Sequence, residues 1–214
     1  LAVVDGQLYA IGGLDHRARP LQNTERFDAS SHCWREFAPL NVPRAGMGVC
    51  TVEGRILAVG GYPKDRKACA VAETFDALHR NWTTVSPMKY CRGMSAVAAW
   101  EGLLYVTGGY DQNGSALSSV ERYDPNKDEW TELAPMQSAR AGHAMVILPT
   151  EGGGAAAGAA GHRLCVLGGF VGQNSSVNVL TASAEEYNKT EDTWRTCDEL
   201  RLPEPMAGFT LSSL

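Results

Sequence analysis

Short, largely apolar runs recur along this chain, each closed by a glycine pair: 8–11 before Gly12-Gly13, 56–59 before Gly60-Gly61, 103–107 before Gly108-Gly109 and 164–167 before Gly168-Gly169. Continuous apolar runs of this length bounded by glycine read as strands covered on both faces. A polar loop follows each pair, and then a segment with an aromatic at its third position: Glu25-Arg26-Phe27-Asp28, Glu73-Thr74-Phe75-Asp76, Glu121-Arg122-Tyr123-Asp124 and Glu185-Glu186-Tyr187-Asn188. A tryptophan lies seven residues beyond each aromatic, at Trp34, Trp82, Trp130 and Trp194. The stretch between carries Asp, Asn, Ser or Pro, which is turn chemistry, so aromatic and tryptophan belong to the two strands of a hairpin. Pro39, Pro87 and Pro135 follow the first three tryptophans, then Arg44, Arg92 and Arg140, then a small-residue apolar strand such as 45–52 or 93–99. The pattern predicts four short strands per repeat and no helix.

The first three repeats keep a 48-residue step. A fixed period in this range marks one supersecondary unit copied along the chain. One four-stranded sheet cannot bury both of its faces, whereas sheets set radially cover each other, which is the propeller arrangement. The paired glycines are expected at φ > 0 with close backbone approach. Each tryptophan is expected between blades, with its ring N–H bonded. The fourth repeat departs from this pattern. A Gly/Ala-rich insertion at 149–161 is predicted to be a disordered loop. Proline is missing where Glu199 stands and arginine where Glu204 stands.

Gly-Gly, Glu-x-Phe/Tyr-Asp, Trp, Pro-Leu/Met and Arg, repeated over nearly the whole chain, resemble the kelch repeat. The stretch 119–125 (SVERYDP) and Ala134-Pro135-Met136 are most similar to the kelch-like subgroup. WD-type repeats are set aside, since no Gly-His/Trp-Asp pairing stands in register. The resemblance implies an all-β fold, a β-propeller of kelch repeats with four blades, part of a six-bladed ring. The expected divisions are 1–44, 45–92, 93–140, 141–204 with the insertion, and a closing first strand at 205–214. Residues 1–4 align with 49–52, and 206–212 align with that same first strand, so both ends claim one strand position. That overlap is read as a partial ring, with further repeats and then BTB and BACK domains expected upstream.

With 214 residues, 44% hydrophobic and 20% charged, the chain has ample material for a core. No apolar run approaches the roughly 18 residues of a membrane-spanning helix. A net charge of −5 argues against nucleic acid as a partner. Cys33, Cys50, Cys69, Cys91, Cys165 and Cys197 form no CxxC pair, which argues against zinc. Scattered single thiols point to a reducing compartment, so the expected location is the cytoplasm, where the sequons at Asn81, Asn113, Asn174 and Asn188 would be inert.

Binding residues of a propeller sit on loops held by a rigid scaffold. Arg44, Arg92 and Arg140 recur once per blade and are expected near the channel mouth, where a ring of guanidinium forks could grip carboxylates. The competing reading is that each satisfies backbone carbonyls between blades. In the family, arginines at matching positions bind acidic peptides, but the polar contact residue that follows them is replaced here by Ala45, Gly93 and Ala141. Tyr62, Tyr110 and Phe170 directly follow Gly-Gly and are candidate anchors for a partner, against a plain loop-packing role. Arg17 with His16 and Arg19, and Arg66 with Lys64 and Lys67, make the first two post-glycine loops basic. His143 and Tyr90 lie near the same face and are assigned no chemistry. Glu25, Glu73, Glu121 and Glu185, one per repeat, suit structural hydrogen bonding rather than acid/base work.

No cofactor and no metal are expected, and the chain is not expected to be an enzyme. The resemblance implies a protein-binding module: the substrate-recognition propeller of a cullin-3 ubiquitin-ligase adaptor, taking a short acidic peptide and reaching cullin-3 through an N-terminal domain absent from this chain. The alternatives are an actin-associated or scaffold kelch protein and a kelch-type metal oxidase. Against the oxidase, His16, His32, His79, His143 and His162 are scattered over different parts of the repeats.

Overall fold

Each apolar run forms the second strand of a four-stranded antiparallel meander. A computed structural model describes residues 1–76, 79–150, 161–172 and 179–209. Blade 1 comprises Ala2–Val4, Gln7–Ile11, Thr24–Asp28 and Cys33–Phe37, and blade 2 comprises Gly48–Val52, Arg55–Val59, Ala72–Asp76 and Asn81–Val85. Blade 3 comprises Ala96–Trp100, Leu103–Thr107, Val120–Asp124 and Glu129–Leu133, and blade 4 comprises Ala144–Pro149, His162–Leu167, Ala184–Asn188 and Thr193–Thr196. Arg140–Ala141, Phe170–Val171 and Val179–Leu180 make a short ribbon on the loop side. The one helical turn among the described residues is 3-10, at Asp198–Leu200.

Local chemistry sets the register. First and second strands of blades 1–3 are joined by Asp5-Gly6, Glu53-Gly54 and Glu101-Gly102, with φ of 48 and 70°, 48 and 75°, and 52 and 75°. Two successive positive φ values give the turn whose twist matches a hairpin's strands. In blade 4 the insertion replaces that turn. Its stem stays paired, Pro149 opposite His162, with the Thr150 amide donating to the Gly161 carbonyl at 2.8 Å. Most of the predicted disordered loop, 151–160, lies outside the described residues.

The hairpin prediction holds residue by residue: Phe27 faces Trp34, Phe75 faces Trp82, Tyr123 faces Trp130 and Tyr187 faces Trp194. Their rings pack with centroids 5.3, 5.4, 4.9 and 5.2 Å apart, the separation that favours tilted aromatic pairs.

The core lies between blades. Tyr9, Ile11 and Leu40 of blade 1 pack on Ile56, Phe75 and Trp82 of blade 2. Val52, Leu57 and Met88 of blade 2 pack on Leu104, Val106 and Tyr123 of blade 3. Trp100, Tyr105 and Met136 of blade 3 pack on Leu164, Tyr187 and Trp194 of blade 4. A strand sandwiched this way has two covered faces, so its sequence is continuously apolar instead of alternating.

Candidate functional site

The sequence puts an arginine before each inner strand, and its main chain stays with the blade it leaves. The carbonyls of Arg44, Arg92 and Arg140 accept from Gly13, Gly61 and Gly109 at 3.0, 2.8 and 2.9 Å. The side chain crosses to the next blade. Arg44 Nη1 donates to the Gly60 and Val71 carbonyls at 2.8 and 2.9 Å, and Nη2 to Glu73 Oε1 at 2.9 Å. Arg92 does the same with Gly108, Ser119 and Glu121 at 2.7, 3.1 and 2.7 Å. Arg140 does so with Gly168, Ser183 and Glu185 at 2.9, 3.2 and 2.6 Å.

Each glutamate also grips the preceding blade's loop. Glu73 accepts from the amides of Asn41 and Val42 at 2.7 and 3.3 Å, Glu121 from Lys89 and Tyr90 at 2.7 and 3.3 Å, and Glu185 from Gln137 and Ser138 at 2.6 and 3.1 Å. The tryptophans add a third tie. Nε1 of Trp82, Trp130 and Trp194 donates to the carbonyls of Ala38, Ser86 and Ala134 at 3.0, 2.7 and 2.9 Å.

This corrects the expected arginine-lined mouth. Arg44, Arg92 and Arg140 are 0% exposed, and each guanidinium is committed to a glutamate and carbonyls of its neighbour blade. Burial presses the Arg92 guanidinium down from its usual value, and the Glu121 carboxylate opposes that shift. A partner cannot reach these groups, so the carbonyl-satisfying role accounts for them and the carboxylate grip does not. The recurring glutamates are structural acceptors, as their periodicity suggested.

The mouth itself is lined by methionine and valine side chains together with Ser95, His143 and glycine backbone. A cavity of about 620 Å³ runs between the inner strands, lined by Met47, Val49, Met94, Ser95, His143 and Met145 among others. Backbone bonds step round it from blade to blade: Met94 donates to Gly46 at 2.8 Å, Gly142 to Met94 at 2.8 Å and Gly208 to Gly142 at 2.7 Å. His143 is buried, its Nε2 2.7 Å from Thr107 Oγ1. Burial, then the Arg140 and Arg92 charges, lower its pKa from 6.5 to about 3.

The native state therefore keeps His143 neutral, while the unfolded chain takes up a proton below pH 6.5. Stability is full above that value and is lost as pH falls toward 3, at about 1.4 kcal/mol per pH unit from this one group. Urea melts of wild type and His143→Gln at pH 7.5 and 5 are expected to show a smaller loss in the variant. Equal losses would contradict this.

Among the other expected site residues, Tyr62 and Phe170 are half-buried at the mouth and Tyr110 is 8% exposed. Tyr62 exchanges backbone bonds with Ala45 at 3.1 and 2.7 Å. A Cβ on Gly93 would lie 2.3 Å from its ring, so the ring of Tyr62 fills the space where a side chain after Arg92 would stand. Burial, with Tyr110 and Asp111 nearby, pushes its hydroxyl up to about 12. Tyr110, being buried, serves loop packing. Arg17 and Arg66 are exposed on adjacent blades. Asp15 fixes the first loop through the amides of Arg17 and Arg19 at 2.8 and 2.9 Å and pairs with the Arg19 side chain at 2.7 Å. Arg17, Lys64, Arg66 and Lys67 form no ion pair among the described residues.

The fourth arginine position, expected at Glu204, falls two residues later. Met206, twelve residues after Trp194 instead of ten, gives the carbonyl that bonds Gly169 N at 2.8 Å. Leu202 N donates to Ala182 O at 2.9 Å as Met88 N does to Ala70 O at 3.0 Å, which fixes the same register. The 3-10 turn at Asp198–Leu200 lies in the lengthened segment, so Met206, not Glu204, stands where arginine is expected.

The motif shared by the blades is also what comparison with known families finds. A model described as the Kelch motif matches residues 1–41, 43–89 and 91–137. This chain belongs to the kelch-motif family. Among solved structures, one titled "Structure of YjhT" superposes with a TM-score of 0.78 at 15% identity, covering 97% of this chain and 71% of that one. At that identity the likeness speaks for the fold alone. Comparison with curated protein sequences gives no match. Kelch propellers commonly serve protein interaction, and no helix of the described residues is long and apolar enough to cross a membrane.

Proposed function

We propose that this kelch propeller binds a short acidic peptide across its loop face, over blades 1 and 2, as the substrate-recognition part of a cullin-3 ubiquitin-ligase adaptor. One observation carries the peptide reading. Arg17, Lys64, Arg66 and Lys67 stand exposed, and without ion pairs among the described residues, on two adjacent loops of a chain whose net charge is −5. Half-buried Tyr62 opens the second of these loops, its ring beside Gly46 of the cavity lining. Exposed charges steer encounter, and a rigid aromatic supplies anchoring area at low entropy cost.

The test uses a fluorescein-labelled Glu/Asp-rich decapeptide containing one leucine. Binding is expected to weaken as salt rises, and Arg17→Glu with Arg66→Glu is expected to lower affinity about tenfold or more at low salt with the circular dichroism spectrum unchanged. Salt-independent binding, or full affinity in the variant, would overturn the peptide reading. The adaptor reading is separate: the full-length protein is expected to co-purify with cullin-3, and failure to do so removes that part alone.

A further inference from the structure

All six cysteines are free thiols, and two of them meet on the loop side where blade 2 passes to blade 3. Cys69 follows the basic residue Lys67 of the blade 2 loop by two positions, and Cys91 stands just before Arg92. The Arg92 amide donates to the Cys69 carbonyl at 3.1 Å, so the peptide group after Cys91 is bonded to the peptide group after Cys69. Chains joined in this way run at the spacing that disulfides span. Both backbones are pinned. The Cys69 amide donates to the Gly61 carbonyl at 3.0 Å, and the Tyr90 amide donates to Glu121 at 3.3 Å. Both thiols are half-buried, which leaves them within reach of a small solute. Gln112 Nε2 donates to Cys91 Sγ at 3.0 Å. Burial raises the Cys69 thiol above its ordinary value, and charge on Cys91 raises it further, so the two sulfurs act on one another. The same frame recurs at the neighbouring interfaces without thiols. There the Arg44 and Arg140 amides donate to the Leu21 and Leu117 carbonyls at 3.0 Å each, and Pro43 and Ala139 stand where Cys91 does. Blade architecture therefore does not require the pair.

We propose that Cys69 and Cys91 form a redox-modification site, which hydrogen peroxide closes into an intramolecular disulfide. Cys91 is the attacking thiol, because the Gln112 amide stabilises negative charge on its sulfur, and Cys69 is the resolving one. The Cys91 thiolate attacks a peroxide oxygen. The O–O bond breaks, hydroxide leaves, and Cys91 becomes a sulfenic acid. The Cys69 thiolate then attacks that sulfur. An S–S bond forms, the S–O bond breaks, and a second hydroxide leaves. The two hydroxides take up the two thiol protons as water, and the peroxide gains the two electrons that the thiols lose. The bridge ties the end of the basic loop to the segment that enters blade 3. Cys165 and Cys197 are the contrasting pair. They are 0% and 6% exposed within the blade 4 core. Burial pushes the Cys165 thiol up to about 12, so this pair is expected to resist the same oxidant.

The test treats the reduced protein with a small excess of hydrogen peroxide, alkylates the remaining thiols and digests with trypsin. Peptide 68–80 is expected to be linked to peptide 90–92 until dithiothreitol is added, while Cys165 and Cys197 are recovered alkylated. Dimedone, which traps sulfenic acids, is expected to label Cys91 in Cys69→Ser and to leave wild type nearly unlabelled there. Gln112→Leu is expected to slow bridge formation severalfold with the circular dichroism spectrum unchanged. Recovery of Cys69 and Cys91 both alkylated after exposed Cys33 has been oxidised would overturn the site. So would conversion of wild-type Cys91 to the sulfinic acid without linkage. Dimedone labelling of Cys69 in Cys91→Ser as fast as that of Cys91 in Cys69→Ser, or an unchanged rate in Gln112→Leu, would overturn Cys91 as the attacking thiol.

Discussion

Arg92→Ala is expected to destabilise this propeller by about 3–5 kcal/mol, because it leaves a buried charge without its partner. The Glu121 carboxylate is 1% exposed and would keep only the amides of Lys89 and Tyr90. The Gly108 carbonyl would lose its guanidinium donor as well, and the Ser119 carbonyl would keep only the Gly108 amide. Removing both charges is a different experiment. Arg92→Met with Glu121→Leu discards the ion pair together with its desolvation cost, and is expected to lie nearer wild type than Arg92→Ala does. A double-mutant cycle by urea denaturation checks this, and a single-variant cost below about 1 kcal/mol would show the pair to be dispensable. Loss of a partner in the Arg92→Ala protein would therefore report unfolding, so binding experiments belong on Arg17 and Arg66.

The same interfaces show what could be read from sequence. Gly-Gly, the aromatic–tryptophan spacing and the continuous apolar runs are local signals, each tied to one backbone requirement, and the hairpin register follows from them. The arginines and glutamates were equally visible as once-per-blade residues. Their pairing was not, because it joins residues of successive blades, 29 apart at the first two interfaces. Periodicity says that both maintain the repeat, but not that one side chain turns away from the mouth to meet the other. Half-burial of Tyr62 against full burial of Tyr110 was equally hidden: both follow Gly-Gly, and only tertiary packing separates them. The lengthened segment after Trp194 moved the fourth arginine position to Met206, which counting from tryptophan cannot detect.

Specificity and architecture thus occupy different layers of one blade. The buried layer repeats chemically: arginine, glutamate, tryptophan and the glycine pair recur with nearly the same distances. The exposed layer does not repeat. Two loops are basic, the third carries no Lys or Arg, and Asp111 there accepts from Asn113 and Ser115 amides at 2.8 Å each. Variation in the exposed layer leaves the inter-blade ties intact, which is why binding differences belong there.

Gly60→Ala is expected to cost roughly 3 kcal/mol or more, the sum of left-handed backbone strain and an irreducible clash. Gly60 sits at φ +67° and a Cβ there would fall 2.2 Å from the Arg92 carbonyl oxygen. That carbonyl cannot withdraw, since it accepts from Gly61 N at 2.8 Å while the Arg92 side chain is held in blade 3. Gly54→Ala separates the two contributions. Gly54 lies at φ +75° with nothing within 4 Å of its would-be Cβ, so only strain of about 1–2 kcal/mol is expected. Chemical denaturation of both variants decides the matter. A Gly60→Ala cost no larger than that of Gly54→Ala would mean that the carbonyl yields. The glycine pair would then serve the turn alone, rather than the close approach of one blade's second strand to the segment that enters the next.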